Sequence, residues 1–130
     1  DRRQRQMCIR DSYGWKILGW GGKNYSGTYI GPKWKEGFNK AIYYWVPSIG
    51  ISSFVIYKGE EFSYLNGQAI IGSLKYETLY SMNFFGKTTV SRPEILLQNV
   101  LGKIRDIEIH PKTGKIFVIS KEYLWLLEKK

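Results

Sequence analysis

The stretch Gly102–Ile109 (GKIRDIEI) carries the residue types that most directly suggest chemistry. In an extended strand, alternate side chains share a face. Lys103, Arg105, Ile107 and Ile109 would then form one row, with Asp106 and Glu108 pointing the other way. Two cations heading an apolar row suggest a buried face that opens at one end onto an anion. Charge-assisted contacts to a carboxylate are strong, and Arg can make them bidentately. The plainer alternative is that Lys103 and Arg105 begin an exposed strand end or pair with nearby acids. Lys75, just beyond the apolar run QAIIGSL, would be a third cation at a strand end. A second feature is Tyr43-Tyr44-Trp45-Val46-Pro47, where clustered aromatics beside a proline could wall a flat ligand or simply pack a core.

Other candidates do not assemble into sites. His110, the single histidine, sits in a His-Pro-Lys-Thr-Gly turn with no carboxylate partner close by in sequence. Glu60 and Glu61 are adjacent and diverge, so they do not make an acid/base pair. There is no Cys/His cluster for zinc, no EF-hand-like loop for calcium and no glycine-rich phosphate loop. The predicted metal-ligand set is therefore empty.

The elements that must hold these residues are strands. Ser53–Tyr57, Gln68–Leu74 and Thr78–Phe84 are short apolar or alternating runs divided by Lys58-Gly59 and Leu65-Asn66-Gly67. In the third run, Tyr80, Met82 and Phe84 alternate with Leu79, Ser81 and Asn83, which predicts a half-buried strand. Glu94–Gln98 is a weaker fourth. Ile104–Ile109, Lys115–Ile119 and Tyr123–Leu127 begin a second set, turning at His110–Gly114. The spacing predicts an all-β chain of antiparallel four-stranded meanders, as in sandwiches or propeller blades. The stretch Tyr13–Lys40 reads as irregular, and no clear internal repeat is visible.

Arg2–Asp11 (RRQRQMCIRD), running into Ser12, matches residue for residue one translated frame of a transposase sequencing-library adaptor. Such segments are set aside before fold reasoning. The expectation is that residues 1–12 are non-native, that native sequence starts near Tyr13, and that the chain is a fragment. A basic, phosphate-binding arm is the alternative reading of that stretch. The formal charge is +9, but the lysines outside it (Lys16, Lys23, Lys33, Lys35, Lys40, Lys58) are scattered, which argues against a nucleic-acid partner. Cys8, the single cysteine, lies in the adaptor-like stretch, so neither disulfides nor thiolate metal sites are expected elsewhere. No apolar run approaches the roughly 18 residues of a membrane span.

Six short motifs, in order, resemble the C-terminal part of the glucose/sorbosone dehydrogenase family. Tyr13-Gly14-Trp15 is similar to its Asn-Tyr-Gly-Trp-Pro element, and Asn24–Thr28 to Asn-Tyr-x-Gly-Thr. Tyr43–Ser53 is similar to Tyr-x-Trp-x-Pro-Ser-Ile-Ala-Pro-Ser, and Phe54–Gly59 to a Phe-Tyr-x-Gly strand end. Gly72-Ser73-Leu74-Lys75 matches Gly-Ser-Leu-Lys, and Lys103–Asp106 is similar to Arg-x-Arg-Asp. The resemblance implies a partial arc, about two to three blades, of a six-bladed β-propeller over residues 13–130. It further implies a periplasmic or secreted quinoprotein that oxidises an aldose at its anomeric carbon, using pyrroloquinoline quinone and calcium, and passes electrons to an external acceptor. On that reading Lys75, Lys103 and Arg105 contact the quinone cofactor, and Tyr43 and Trp45 line the cofactor and sugar pocket. The general-base His and the calcium ligands would lie upstream, so the fragment alone should be inactive.

The sequence departs from the family pattern at Lys103 for Arg, Gly50-Ile51 for Ala-Pro, and Ser120-Lys121 for Thr-Asp. A propeller module that binds carbohydrate or protein without catalysis is the alternative that the changes at Lys103 and Gly50-Ile51 permit.

Overall fold

The computed structural model describes Ser26, Thr28, Gly31, Glu36, Gly37, residues 41–86 and residues 89–130. Residues 1–12, expected to be non-native, lie outside the described residues, as does nearly all of the stretch read as irregular. The chain divides into two compact units, Asp1–Ser48 and Ile49–Lys130.

Among the described residues of the second unit, seven strands form two antiparallel meanders. The first sheet holds β1 (Ile51–Ile56), β2 (Ala69–Ser73), β3 (Thr78–Met82) and β4 (Glu94–Gln98) in chain order. The second holds β5 (Ile104–Ile109), β6 (Ile116–Ser120) and β7 (Leu124–Leu127). These are the strands the sequence predicts, shifted by a residue or two at their ends. β-Branched and aromatic residues favour such pleated, packed positions. Among the described residues the one helical element is a 3₁₀ turn at Ser63–Leu65, within the β1–β2 connection. That connection closes when the Gly67 N–H, with φ of 80°, donates to the Tyr57 carbonyl at 2.9 Å.

The two sheets pack through β1, β2 and β5 over a core that includes Tyr57, Ile70, Leu79, Ile104, Ile107 and Val118. Each such aliphatic side chain, fully withdrawn from water, contributes roughly 1.5–3 kcal/mol before entropy is counted. β2 is buried along its whole length, and β3 everywhere except Tyr80. The alternation in β3 predicts a half-buried strand, so this is a correction: β3 is an interior strand, flanked by β2 and β4 and covered on both faces.

The sheets also repeat each other in a way the sequence does not display. Ser53, Phe54, Val55 and Ile56 pair with Gly72, Ile71, Ile70 and Ala69. Asp106, Ile107, Glu108 and Ile109 pair in the same register with Ile119, Val118, Phe117 and Ile116. Both first strands have a register shift after their first residue, at Ile51/Ser53 and at Ile104/Asp106. Each shift is a β-bulge, one residue inserted without a partner. Ile51 and Ile104 pair with serines, Ser73 and Ser120, that end the second strand of each sheet. Two packed meanders with the same register are successive blades of one repeating architecture.

Candidate functional site

Arg105 is the residue that the bulge in β5 inserts. Ile104 pairs with Ser120 and Asp106 with Ile119, so Arg105 has no partner across the ladder. This corrects the predicted row of Lys103, Arg105, Ile107 and Ile109. Strict alternation would expose Ile104 on the face of Asp106, yet Ile104 is fully buried together with Ile107. The bulge turns both isoleucines into the core and leaves Arg105 exposed at the strand entrance. Lys103, immediately before β5, is exposed as well.

Lys75 lies in the β2–β3 turn and is exposed, with its Nζ 5.4 Å from the centre of the Tyr76 ring. Its backbone N–H donates to the Ile49 carbonyl at 3.1 Å, which holds the turn against the lead-in to β1. The end of β2 and the start of β5 are in close contact. A side-chain carbon added at Gly72 would fall 2.5 Å from Ile104 Cγ2, so no larger residue fits between them. Lys75, Lys103 and Arg105 are therefore brought to the same end of the two blades.

Among the described residues, none of these three cations takes part in an ion pair; the one salt bridge joins Lys115 and Glu128 elsewhere. The acid next to Arg105, Asp106, spends Oδ1 on the Ile107 N–H at 2.9 Å. Exposed cations that make no ion pair keep their donors available to an anion with several negative groups.

Tyr43 and Trp45 belong to the first unit. Their rings meet edge to face, 4.7 Å between centres and at 72°. With Ile42, Tyr44 and Val46 they line a shallow recess open to solvent. Tyr43 is 39 % exposed and Tyr44 41 %, more than a sealed aromatic core would leave.

His110 has a structural assignment. Its Nδ1 accepts the N–H groups of Lys112 and Thr113, both at 3.2 Å, and so caps the turn between β5 and β6. No cluster of three or more His, Cys, Asp or Glu side chains able to hold a metal occurs among the described residues. Two buried serines at the cation-bearing end, Ser73 and Ser120, were not singled out from sequence. The signal that could have found them is the recurrence of Ser-x-x-Tyr after the second strand of each blade, at Ser73–Tyr76 and Ser120–Tyr123.

The glucose/sorbosone dehydrogenase family model matches residues 9–124. The chain belongs to this family. Among solved structures, a crystal structure of a glucose dehydrogenase is similar at 27 % identity and a TM-score of 0.81, over 92 % of this chain and 36 % of that one. The soluble aldose sugar dehydrogenase (Asd) from Escherichia coli, solved in the apo-form, is similar at 28 % identity and a TM-score of 0.76, over 89 % and 33 %. A further glucose dehydrogenase shares the fold at 24 % identity, with a TM-score of 0.77. The chain thus spans about a third of the length of these structures. No curated protein matches it. As a member of the glucose/sorbosone dehydrogenase family it is a partial arc of a β-propeller, with one four-stranded and one three-stranded blade among the described residues.

Proposed function

We propose that this chain forms the cofactor-anchoring C-terminal part of a quinoprotein aldose dehydrogenase. The observation that carries the reading is the convergence of Lys75, Lys103 and Arg105, exposed and without carboxylate partners among the described residues, at one end of two blades. Pyrroloquinoline quinone is a flat tricarboxylate, and three fixed cations are a donor set that fits it. When bound, it supplies the acceptor for the hydride leaving the anomeric carbon of the sugar and passes electrons on to an external acceptor. Lys75 and Lys103 act as point charges on carboxylates. Arg105 offers a planar fork and favours negative charge that develops near it. On family resemblance alone, Tyr43 and Trp45 are proposed to line the sugar and cofactor pocket.

The general base and the calcium ligands are assigned to earlier parts of the parent protein, and this segment by itself does not turn over sugar. No helix among the described residues is long and apolar enough to cross a membrane. A periplasmic or secreted location is proposed on family resemblance.

The test is a reconstitution titration of the parent protein with pyrroloquinoline quinone. Arg105→Ala should weaken uptake by at least tenfold, since a charged hydrogen bond contributes about 1.5–3 kcal/mol. An unchanged titration would remove the assignment. The substitutions at Lys103 and at Gly50-Ile51 permit a second reading, a non-catalytic module that binds carbohydrate or protein. A parent that takes up no quinone yet binds sugar would establish it.

A further inference from the structure

Two buried serines hold equivalent positions in the two blades and join the turns to the residues assigned to the cofactor. Ser73 ends β2 opposite Ile51, and Ser120 ends β6 opposite Ile104. Ser73 is fully buried and Ser120 is 7 % exposed. A hydroxyl withdrawn from water must recover its hydrogen bonds inside the protein. Ser73 Oγ donates to the Ile49 carbonyl at 2.6 Å and accepts the Tyr76 N–H at 3.1 Å. That Ile49 carbonyl also accepts the Lys75 N–H. One hydroxyl therefore ties the lead-in of β1 to the backbone on either side of Lys75.

The second blade shares the part of this device that closes the turn. Ser120 Oγ accepts the Tyr123 N–H and the Trp125 indole N–H, both at 3.2 Å, and donates to the Tyr123 carbonyl at 3.3 Å rather than to the lead-in strand. The turn it braces donates the Lys121 N–H to the Lys103 carbonyl at 3.1 Å. Its counterpart in the first blade is the Leu74 N–H donated to the Gly50 carbonyl at 2.8 Å. At the opposite end of the blades the β1–β2 and β5–β6 connections close through the glycine turns at Gly67 and Gly114, and the β3–β4 connection through the half-buried Ser91, whose Oγ accepts the Asn83 N–H at 2.8 Å. Ser73 and Ser120, buried and each ending the second strand of its sheet, lie at the end that carries Lys75, Lys103 and Arg105.

We propose that Ser73 and Ser120 are positioning residues for the cofactor anion, fixing the backbone of Lys75 and Lys103 so that both ammonium groups meet one ligand. Lysine has a long, flexible stem, and pinning its backbone limits the entropy lost when the head group is immobilised. The inference rests on the quinone reading above.

The experiment uses the parent protein, titrated with pyrroloquinoline quinone and followed by the absorbance of the bound quinone. Amide hydrogen exchange at Tyr76 serves as a second readout. Ser73→Ala should weaken binding about tenfold and speed Tyr76 exchange. Ser81→Ala, which removes another buried hydroxyl but near the far end of β3, should leave binding within about twofold of wild type. Ser73→Ala binding as tightly as wild type, or Ser81→Ala weakening it equally, would overturn the positioning role while leaving the quinone reading intact. A wild-type parent that takes up no quinone would remove that reading itself. Should Ser73→Ala fail to fold, Ser120→Ala carries the same comparison through Lys103.

Discussion

The Tyr57 hydroxyl donates to the Gly114 carbonyl at 2.7 Å and so joins the first blade to the second, at the end of the molecule opposite the cations. It also accepts the Phe62 N–H at 3.0 Å, and Tyr57 is fully buried. Here Gly59 and Gly114 bring two backbones into contact. A side-chain carbon on Gly59 would lie 2.5 Å from the Gly114 Cα. The phenol thus replaces the ladder bonds that two separate sheets cannot make with each other. Tyr57→Phe keeps the ring and its packing but leaves a buried carbonyl and an N–H unpaired. The expected loss is about 1–3 kcal/mol, read as a lower urea midpoint with an unchanged slope.

The strands were legible because short apolar runs here are bounded by Lys58-Gly59, Leu65-Asn66-Gly67 and His110–Gly114, residue types that chain reversals require. The bulge at Arg105 was not, because one inserted residue leaves no mark on composition and only the ladder reveals it. The repeat was hidden for a related reason. Backbone pairing conserves register while the side chains differ, as where Val55–Ile70 of the first blade corresponds to Glu108–Phe117 of the second. Lys75, Lys103 and Arg105 could be placed at strand ends from sequence, and the family motifs pointed to them. That they share one end depends on how β2 meets β5 at Gly72 and Ile104, a tertiary contact between residues far apart in the chain.

His110 is expected to matter for stability alone. Its Nδ1 holds two backbone N–H groups of the turn, which is the role a capping side chain plays. In the parent protein, assayed for the proposed aldose oxidation, His110→Ala should leave kcat/KM within about twofold while lowering stability by roughly 0.5–2 kcal/mol. Asparagine can offer a carbonyl oxygen to the same donors, so His110→Asn should recover most of that loss. A fall in kcat of a hundredfold or more with stability preserved would return His110 to the chemistry.

Lys115 and Glu128 supply a pH dependence whose sign is fixed. Lys115 Nζ lies 2.8 Å from Glu128 Oε2, on a face where both side chains are well exposed. The hydrogen bond to Glu128 and its negative charge raise the Lys115 pKa above its ordinary value of about 10.5. A cation favoured in the folded state stabilises it while the unfolded chain would also be protonated, and that contribution is lost as pH rises through the folded value. Comparing the chain with Glu128→Gln by chemical denaturation, the difference should be small and constant from pH 7 to about pH 10. It should shrink toward zero above about pH 10.5, where Lys115 loses its proton in the unfolded chain and then in the folded one. Because the pair is exposed, 1 M salt should reduce the difference at neutral pH as well. A gap that persists unchanged at high pH would show that Glu128 acts through something other than the charge on Lys115.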